Sequence, residues 1–463
     1  MVGLTARHRP TLRARLAGNE TTRAWSDRLF LALVATLPVH TVYARGVVAW
    51  KPWLILLIAV AILDLWSERR YPWSRPAVPG VVVFLVAILI SWPGPDALDS
   101  FWRLFLALGA GILLFLVVGS HVPNQDRLLR VIFWSAAAMG ASGFIFGLVT
   151  NGVFGESLVS SVNDIPGIDR INKPAYLGSG FVALTNWHQD PGYAALWANL
   201  WFVLAAFAWL KGAVRGPWWL GPAVLGGLFN VTVLTLSRTG WLGLAVGGVA
   251  VCLGYRLLDR ERMRRALSLV GRAAVVGVLL VAIQMAVDPQ GVGGDLTTAL
   301  EFRVAYLAVL GAITVDSEEP GVIDPDRVVQ DNRLEVWGEY WERFTEDPLR
   351  GIGLGTGWGE TGFQEPHNLG LQLLSESGLI GLGGFVVLLA VIWAAAGKPD
   401  RVTTAVLSVL GLAALTQTVI FEPALWLVLG LWLAHVSNRE AKTESAAVGL
   451  PPDPHQDNPA SGR

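Results

Sequence analysis

The sequence predicts an all-α membrane protein that crosses the bilayer many times, and two observations lead to this fold class. The chain of 463 residues is 53% hydrophobic and only 15% charged, and its mean hydropathy of +0.49 lies far from that of a soluble domain. It also contains about twelve apolar stretches that can cross a bilayer, because roughly 20 helical residues span the hydrocarbon core. Their approximate bounds are 28–44, 48–66, 77–93, 101–119, 128–150, 191–210, 217–236, 240–255, 269–287, 376–396, 402–421 and 423–437.

The positions of Lys and Arg predict the orientation of these stretches. Basic residues precede the first stretch and follow the second, fourth, sixth, eighth and tenth. Because positively charged flanks are retained on the cytoplasmic side, both termini are expected in the cytoplasm. The chain then divides into a basic cytoplasmic segment (1–27), a membrane domain (28–437) and a disordered cytoplasmic tail (438–463), whose Pro, Asp, Ser and Asn content disfavours a packed fold.

Two long loops are predicted on the outer face, over residues 151–190 and 288–366. The second loop holds sixteen Asp and Glu against five Arg, so its few arginines stand out. Within it, Asp324 and Asp326 have the carboxylates that Mg²⁺ prefers, but a short acidic pair is ordinary in an acidic loop, and no metal site is predicted. The single cysteine, Cys252, excludes a disulfide framework and a thiolate metal site.

Arg238 lies in a tight outer turn between the seventh and eighth stretches. Two interpretations of this cation remain open. Its side chain extends to lipid phosphate at the membrane surface, or its planar guanidinium is fixed there to bind a phosphate of a substrate.

Arg333 begins a segment with helical periodicity in the second outer loop. An apolar face is expected from Trp337, Tyr340, Trp341 and Phe344, and a polar face from Glu335, Glu339, Glu342 and Arg343. Because Arg333 precedes Trp337 by four residues, it is expected on the apolar side, where its guanidinium is aimed at a membrane-surface site. An ordinary surface arginine is the alternative. The glycine-rich run that follows, residues 350–357, lacks the features of a P-loop and is expected to form a close-packed turn.

His367 follows Pro366 and opens a long apolar helix. The positive end of a helix favours an anionic ligand and disfavours an imidazolium. His367 is therefore a candidate acceptor of a hydroxyl proton or donor to a phosphate, with a capping histidine as the alternative. Upstream, His188 and Asp190 stand just before the sixth stretch, where they can orient a sugar or serve as interfacial and capping residues.

The motif around His367 resembles that of the O-antigen ligase and O-antigen polymerase superfamily, membrane glycosyltransferases of the GT-C type. The ligase pattern is His, then Asn, Ser or Gln, nine residues, Gly, two residues, then Gly, Thr or Tyr. His367, Asn368, Gly378 and Gly381 satisfy it without a gap. The resemblance covers roughly residues 180–400, in which the Arg238 turn and the Arg333 helix are similar to the family's two outer arginine positions. The segment 190–193 is similar to the family's entry to a central span, although Gly192 stands where Asn is usual.

The resemblance implies an enzyme that transfers a glycan from undecaprenyl diphosphate to an acceptor hydroxyl, with inversion, without metal and without a cofactor. It implies catalytic roles for His367, Arg238 and Arg333, and we expect Asn368, His188 and Asp190 to bind substrate. The acceptor is the lipid A core, a growing polysaccharide or a protein glycan site, and ligase and polymerase remain open. The expected location is the bacterial cytoplasmic (inner) membrane, in contact with lipid and not nucleic acid, with the active site on the extracytoplasmic face.

A transporter or flippase for polyisoprenoid-linked saccharides is the alternative from another class. Such a protein places ionisable residues near the bilayer midplane between structural repeats. The informative residues of this chain instead lie at the predicted outer surface, which favours the transferase. A peptidoglycan-type polymerase lacks support because its loop motifs are not found in the sequence.

Overall fold

The computed structural model describes residues 12–38, 42–44, 47–50, 52–66, 77–94, 97–120, 125–150, 172–174, 182–184, 191–256, 260–287, 312–315, 328–331, 333–356 and 366–434. Each predicted apolar stretch overlaps a helix, but the predictions 28–44 and 48–66 are partly wrong, because short strands occupy residues 42–44 and 47–50. The helix expected within the predicted outer loop 288–366 is also present. The helices are α1 (Leu12–Thr36), α2 (Pro52–Trp66), α3 (Ala77–Ile90), α4 (Leu98–Ser120), α5 (Gln125–Thr150), α6 (Pro191–Leu210), α7 (Leu220–Leu234), α8 (Arg238–Arg256), α9 (Arg260–Val287), α10 (Arg333–Glu346), α11 (Leu369–Ala396), α12 (Arg401–Ala414) and α13 (Pro423–Ala434).

Five of these helices, α4, α5, α6, α9 and α11, are long and apolar enough to cross a membrane. The apolar helices α2, α3, α7, α12 and α13 are shorter, at 10–17 residues. Since a helix rises about 1.5 Å per residue, these fall short of a bilayer core of about 30 Å. The fold is that of a polytopic helical membrane protein, while the number of crossings remains a prediction.

Three short antiparallel strand pairs connect some of the helices, an addition to the all-α prediction. They are β1 (Val42–Ala44) with β2 (Val47–Trp50), β3 (Asn172–Pro174) with β4 (Val182–Leu184), and β5 (Ala312–Val315) with β6 (Val328–Asp331). The second and third pairs lie within the two predicted outer loops. At the other end of the chain, α1 begins at Leu12, inside the segment expected to precede the first span.

Helix α6 is the central helix of the bundle. Its side chains are buried without interruption from Ala194 to Ala208, and it packs against α5, α7, α8 and α12. Helix α11 packs against α3 and α10. These contacts bring the α7–α8 turn, the start of α11 and the end of α12 to the same end of the bundle, where the site described below is built.

The predicted span 402–421 is not one continuous helix. Helix α12 ends at Ala414, residues 415–418 form a non-helical turn, and a short 3₁₀ turn follows at Val419–Phe421. The side chain of Thr416 donates to the carbonyl of Leu412 at 3.2 Å. Thr404 and Ser408 form the same kind of bond inside α12, so this bond does not by itself end the helix.

Candidate active site

Arg238 begins α8 directly after a three-residue turn from α7. The hydroxyl of Ser237 caps the new helix by accepting a hydrogen bond from the backbone N–H of Gly240 at 3.1 Å, while Leu236 adopts a left-handed backbone with φ of 52°. Arg238 is half-buried. A cation at the positive end of a helix makes this turn attractive to an anion.

A buried asparagine in α6 fixes the position of this turn. The side chain of Asn199, only 2% exposed, donates from Nδ2 to the carbonyl of Gly240 at 2.8 Å. Its Oδ1 accepts from the hydroxyl of Thr232 at 3.1 Å. Asn199 therefore joins α6, α7 and α8 beside Arg238. Asn199 is not among the site residues predicted from the sequence, although an amide within an apolar span is a signal of a polar contact or a site.

Asn368 caps α11 and holds His367 just outside it. Its Oδ1 accepts from the N–H of Leu371 at 2.9 Å, and its Nδ2 donates to the carbonyl of Leu415 at 3.3 Å. His367 has a left-handed backbone with φ of 46°, uncommon for a residue with a side chain and a frequent feature of functional sites. The helix thus begins at Leu369 rather than at His367, because Asn368 takes the capping position.

The 415–418 turn connects His367 to the elements around Arg238. Nδ1 of His367 lies 3.1 Å from Oε1 of Gln417, and the hydroxyl of Tyr193 in α6 donates to the carbonyl of Thr418 at 3.3 Å. Gln417 also lines a small cavity beside the first turn of α8. The cavity has a volume of about 10 Å³, room for about one water molecule. It is lined by Gly192, Leu196, Asn199, Thr239, Gly240, Gly243, Val409, Ala413 and Gln417.

Helix α10, which begins at Arg333, also lies beside His367. The indole Nε1 of Trp337 donates to the carbonyl of Pro366 at 2.8 Å, directly before His367.

The predicted apolar and polar faces of α10 are partly wrong. Trp341 is 53% exposed, whereas Arg343 is half-buried with its guanidinium 5.9 Å from the ring centroid of buried Tyr340. Sequence periodicity predicts an apolar face on α10, but the packing of α10 against α11 determines which side chains are buried.

A backbone clasp, in which residues 348–353 run beside 375–380, secures α10 to α11. Its four hydrogen bonds are 2.8–3.1 Å long and run from Ile352 N to Ser375 O, Gly353 N to Glu376 O, Leu379 N to Pro348 O and Ile380 N to Leu349 O. The clasp breaks α11 at Gly378, whose φ of 61° is left-handed. The close-packed turn expected of the glycine-rich run is present, and the clasp gives the motif glycine Gly378 a structural role.

Several predicted residues lie outside the described parts of the chain. His188 and Asp190 precede α6, and Asp324 and Asp326 belong to the predicted outer loop 288–366. In the ranges that the structure does describe, no group of three or more His, Cys, Asp and Glu side chains is placed to hold a metal ion. The roles of His188 and Asp190 and the absence of a metal remain predictions.

Residues 223–386 match a family model described as O-antigen ligase. The matched region begins within α7 and ends within α11, so it contains Arg238, Arg333 and His367. No curated protein matches the chain. The match confirms, over residues 223–386, the resemblance that the sequence motifs carry: this part of the chain is similar to O-antigen ligases.

Proposed function

We propose that this protein transfers a glycan from undecaprenyl diphosphate to the hydroxyl of an acceptor saccharide or protein, with inversion and without a metal. The O-antigen ligase match supports the coarser assignment, a membrane enzyme of the ligase or glycosyltransferase type. The observation that carries the finer proposal is that the N-terminal parts of α8, α10 and α11 lie close together. The 3.1 Å contact between His367 and Gln417 joins the start of α11 to the cavity at the start of α8, and α10 is bonded to Pro366.

The leaving group of this reaction is a diphosphate, on which charge develops as the glycosidic bond breaks. Preorganised cations and helix N-termini aimed at developing charge are usually the largest catalytic term. Arg238 lies at the N-terminus of α8, and Arg333 begins α10. We assign both guanidinium groups to the diphosphate, where their planar donors match phosphate oxygens.

His367 is the group that we assign to the acceptor. The acceptor oxygen attacks the anomeric carbon from the face opposite the diphosphate, forming the new C–O bond. The bond from the anomeric carbon to the diphosphate oxygen breaks, and its electron pair leaves with undecaprenyl diphosphate. The acceptor proton passes to His367, a role in which a neutral imidazole serves as general base. One displacement gives inversion and needs no carboxylate nucleophile.

An open apolar groove supports a lipid-linked donor. The groove has a volume of about 720 Å³ and lies between α7, α8 and α9. One end is at Trp241, three residues after Arg238, and the other is near Leu253, about 18 Å further along α8 at 1.5 Å per residue. It is lined by Phe202, Phe229, Val233, Trp241, Leu244, Ala245, Gly248, Val249, Cys252, Leu253, Leu267, Val270, Ala274, Val278 and Val281. An isoprenoid chain in this groove would have its diphosphate end directed to Arg238.

The test is transfer by the purified protein in lipid vesicles supplied with a lipid-linked glycan and candidate acceptors. Wild-type protein is expected to consume the donor in the presence of EDTA, and His367→Ala is expected to lose transfer while remaining folded, since Asn368 rather than His367 caps α11. Retained transfer by His367→Ala would overturn its role. A requirement for Mn²⁺ after EDTA would make Asp324 and Asp326 candidate ligands. Movement of the donor across the bilayer without its consumption would favour the transporter.

The same experiment separates ligase from polymerase. Transfer to lipid A core identifies a ligase, and elongation of a second lipid-linked glycan identifies a polymerase. The product's anomeric configuration, measured by NMR, tests inversion.

The proposed outer position of the site requires its own test. In a Cys252→Ser background, a membrane-impermeant maleimide applied to sealed cells should label Ser317→Cys and not Ser268→Cys. The reason is that Ser317 lies in the predicted outer loop 288–366, whereas Ser268 follows the basic cluster near the start of α9. Labelling of Ser268→Cys, or protection of Ser317→Cys, would overturn the predicted topology.

A further inference from the structure

We propose that Gln417 is a positioning residue that fixes the proton of His367 on Nδ1, so that Nε2 is the atom that takes the acceptor's proton. This inference rests on the proposed function, because it assigns the histidine a base. It concerns a residue outside the motif and outside the matched region 223–386.

The chemistry of the contact sets the tautomer. An amide oxygen only accepts hydrogen bonds, and Oε1 of Gln417 lies 3.1 Å from Nδ1 of His367. Nδ1 therefore carries the hydrogen and donates it to Gln417. In a neutral imidazole the other nitrogen then carries the lone pair, since a hydrogen bond at one ring nitrogen determines the state of the other.

Gln417 is itself held firmly. Its side chain is 4% exposed, and the turn around it is attached on both sides. Asn368 donates to the carbonyl of Leu415 at 3.3 Å, and Tyr193 donates to the carbonyl of Thr418 at 3.3 Å. These bonds to the start of α11 and to the central helix α6 fix the position of Gln417 relative to His367.

The left-handed backbone of His367, with φ of 46°, fits the same account. Such a conformation is costly for a residue with a side chain and persists where surrounding contacts enforce it. The contact with Gln417 and the capping role of Asn368 are two such contacts. The end of α12 before Gln417 also serves this role. A continuous helix would not provide the turn to which Asn368 and Tyr193 bind.

In the transfer step, Nε2 accepts the proton as the acceptor oxygen forms its bond to the anomeric carbon and the diphosphate leaves with the electron pair. The imidazolium keeps its Nδ1–H bond to Gln417, whose carbonyl dipole stabilises the new charge. Nε2 then gives the proton to the released diphosphate or to water, which restores the neutral ring for the next turnover.

The test compares Gln417→Met, which has similar length and no amide oxygen, with Gln417→Glu, whose carboxylate also accepts from Nδ1–H. Gln417→Met is expected to lower kcat about 10- to 100-fold, by analogy with the loss of partners that orient metal-bound histidines, with little change in KM for the donor. Gln417→Glu should restore most of the rate. Leu415→Met, which changes an exposed side chain in the same turn, is the matched control and should keep wild-type kcat.

The ¹⁵N NMR signals of His367, assigned by their loss in His367→Ala, give a readout that does not depend on turnover. Wild type should show a protonated Nδ1 and an unprotonated Nε2, and Gln417→Met a mixture of tautomers. A protonated Nε2 in neutral wild-type protein, or unchanged kcat in Gln417→Met, overturns the role of Gln417. Absence of transfer by wild type with every lipid-linked donor overturns the proposed function instead.

Discussion

Trp337 donates its indole N–H to the carbonyl of Pro366 at 2.8 Å, and this bond joins the helix that Arg333 begins to the residue before His367. Two parts of the site that are far apart in sequence are thus connected directly. One turn after Trp337, Tyr340 is fully buried, so α10 is seated by packing as well as by the bond.

Removal of this bond should disturb the site more than the fold. Trp337→Phe keeps an aromatic ring but loses the donor, at a cost of about 1 kcal/mol in stability. Because small misplacements of a reacting group are expensive in rate, kcat should fall roughly 10-fold or more. Trp341→Phe is the matched control on the same helix, since Trp341 is exposed. Equal activities of the two variants would show that the seating of α10 does not affect turnover.

The helices and the order of the site residues were predictable because both depend on local sequence. Hydropathy locates the helices, and the spacing of His367, Asn368 and Gly378 is contained in one short motif. Asn199 and Gln417 were not predictable in the same way, since their hydrogen bonds join residues from different helices. Both amides stand in predicted apolar spans, where a polar side chain is the one local sign of such a contact.

Gly378→Ala should damage the backbone clasp. A Cβ at this position would lie 2.4 Å from the backbone of Leu349, and the φ of 61° is unfavourable for alanine. We expect a loss of more than about 2 kcal/mol, visible as a lower thermal unfolding temperature in detergent and as lost transfer. Gly383→Ala, in the same helix but with no atom within 4 Å of its Cβ, should be neutral or slightly stabilising. Similar unfolding temperatures for the two variants would contradict the clasp.

Two buried asparagines offer a further matched pair. Asn199→Leu removes the bonds to Gly240 and Thr232, and we expect it to cost about 1–3 kcal/mol and to lower transfer by displacing the Arg238 turn. Asn230, also fully buried, has amide atoms without a hydrogen-bond partner among the described residues. Asn230→Leu should therefore be neutral or stabilising. Thermal unfolding and transfer assays check both, and a larger loss from Asn230→Leu would contradict the Asn199 network.

Arg238→Lys and Arg333→Lys test whether geometry or charge matters at the diphosphate. Lysine keeps the charge but replaces a planar fork of donors by a single point charge. By analogy with the loss of one oxyanion donor, each variant should lose about 2–4 kcal/mol of transition-state stabilisation, a decrease in kcat of roughly 30- to 1,000-fold. Arg350→Lys is the control, because Arg350 is an exposed arginine in the turn after α10. Near wild-type transfer by both test variants would remove the arginines from the mechanism, and an equal loss in Arg350→Lys would point to a general effect of surface charge.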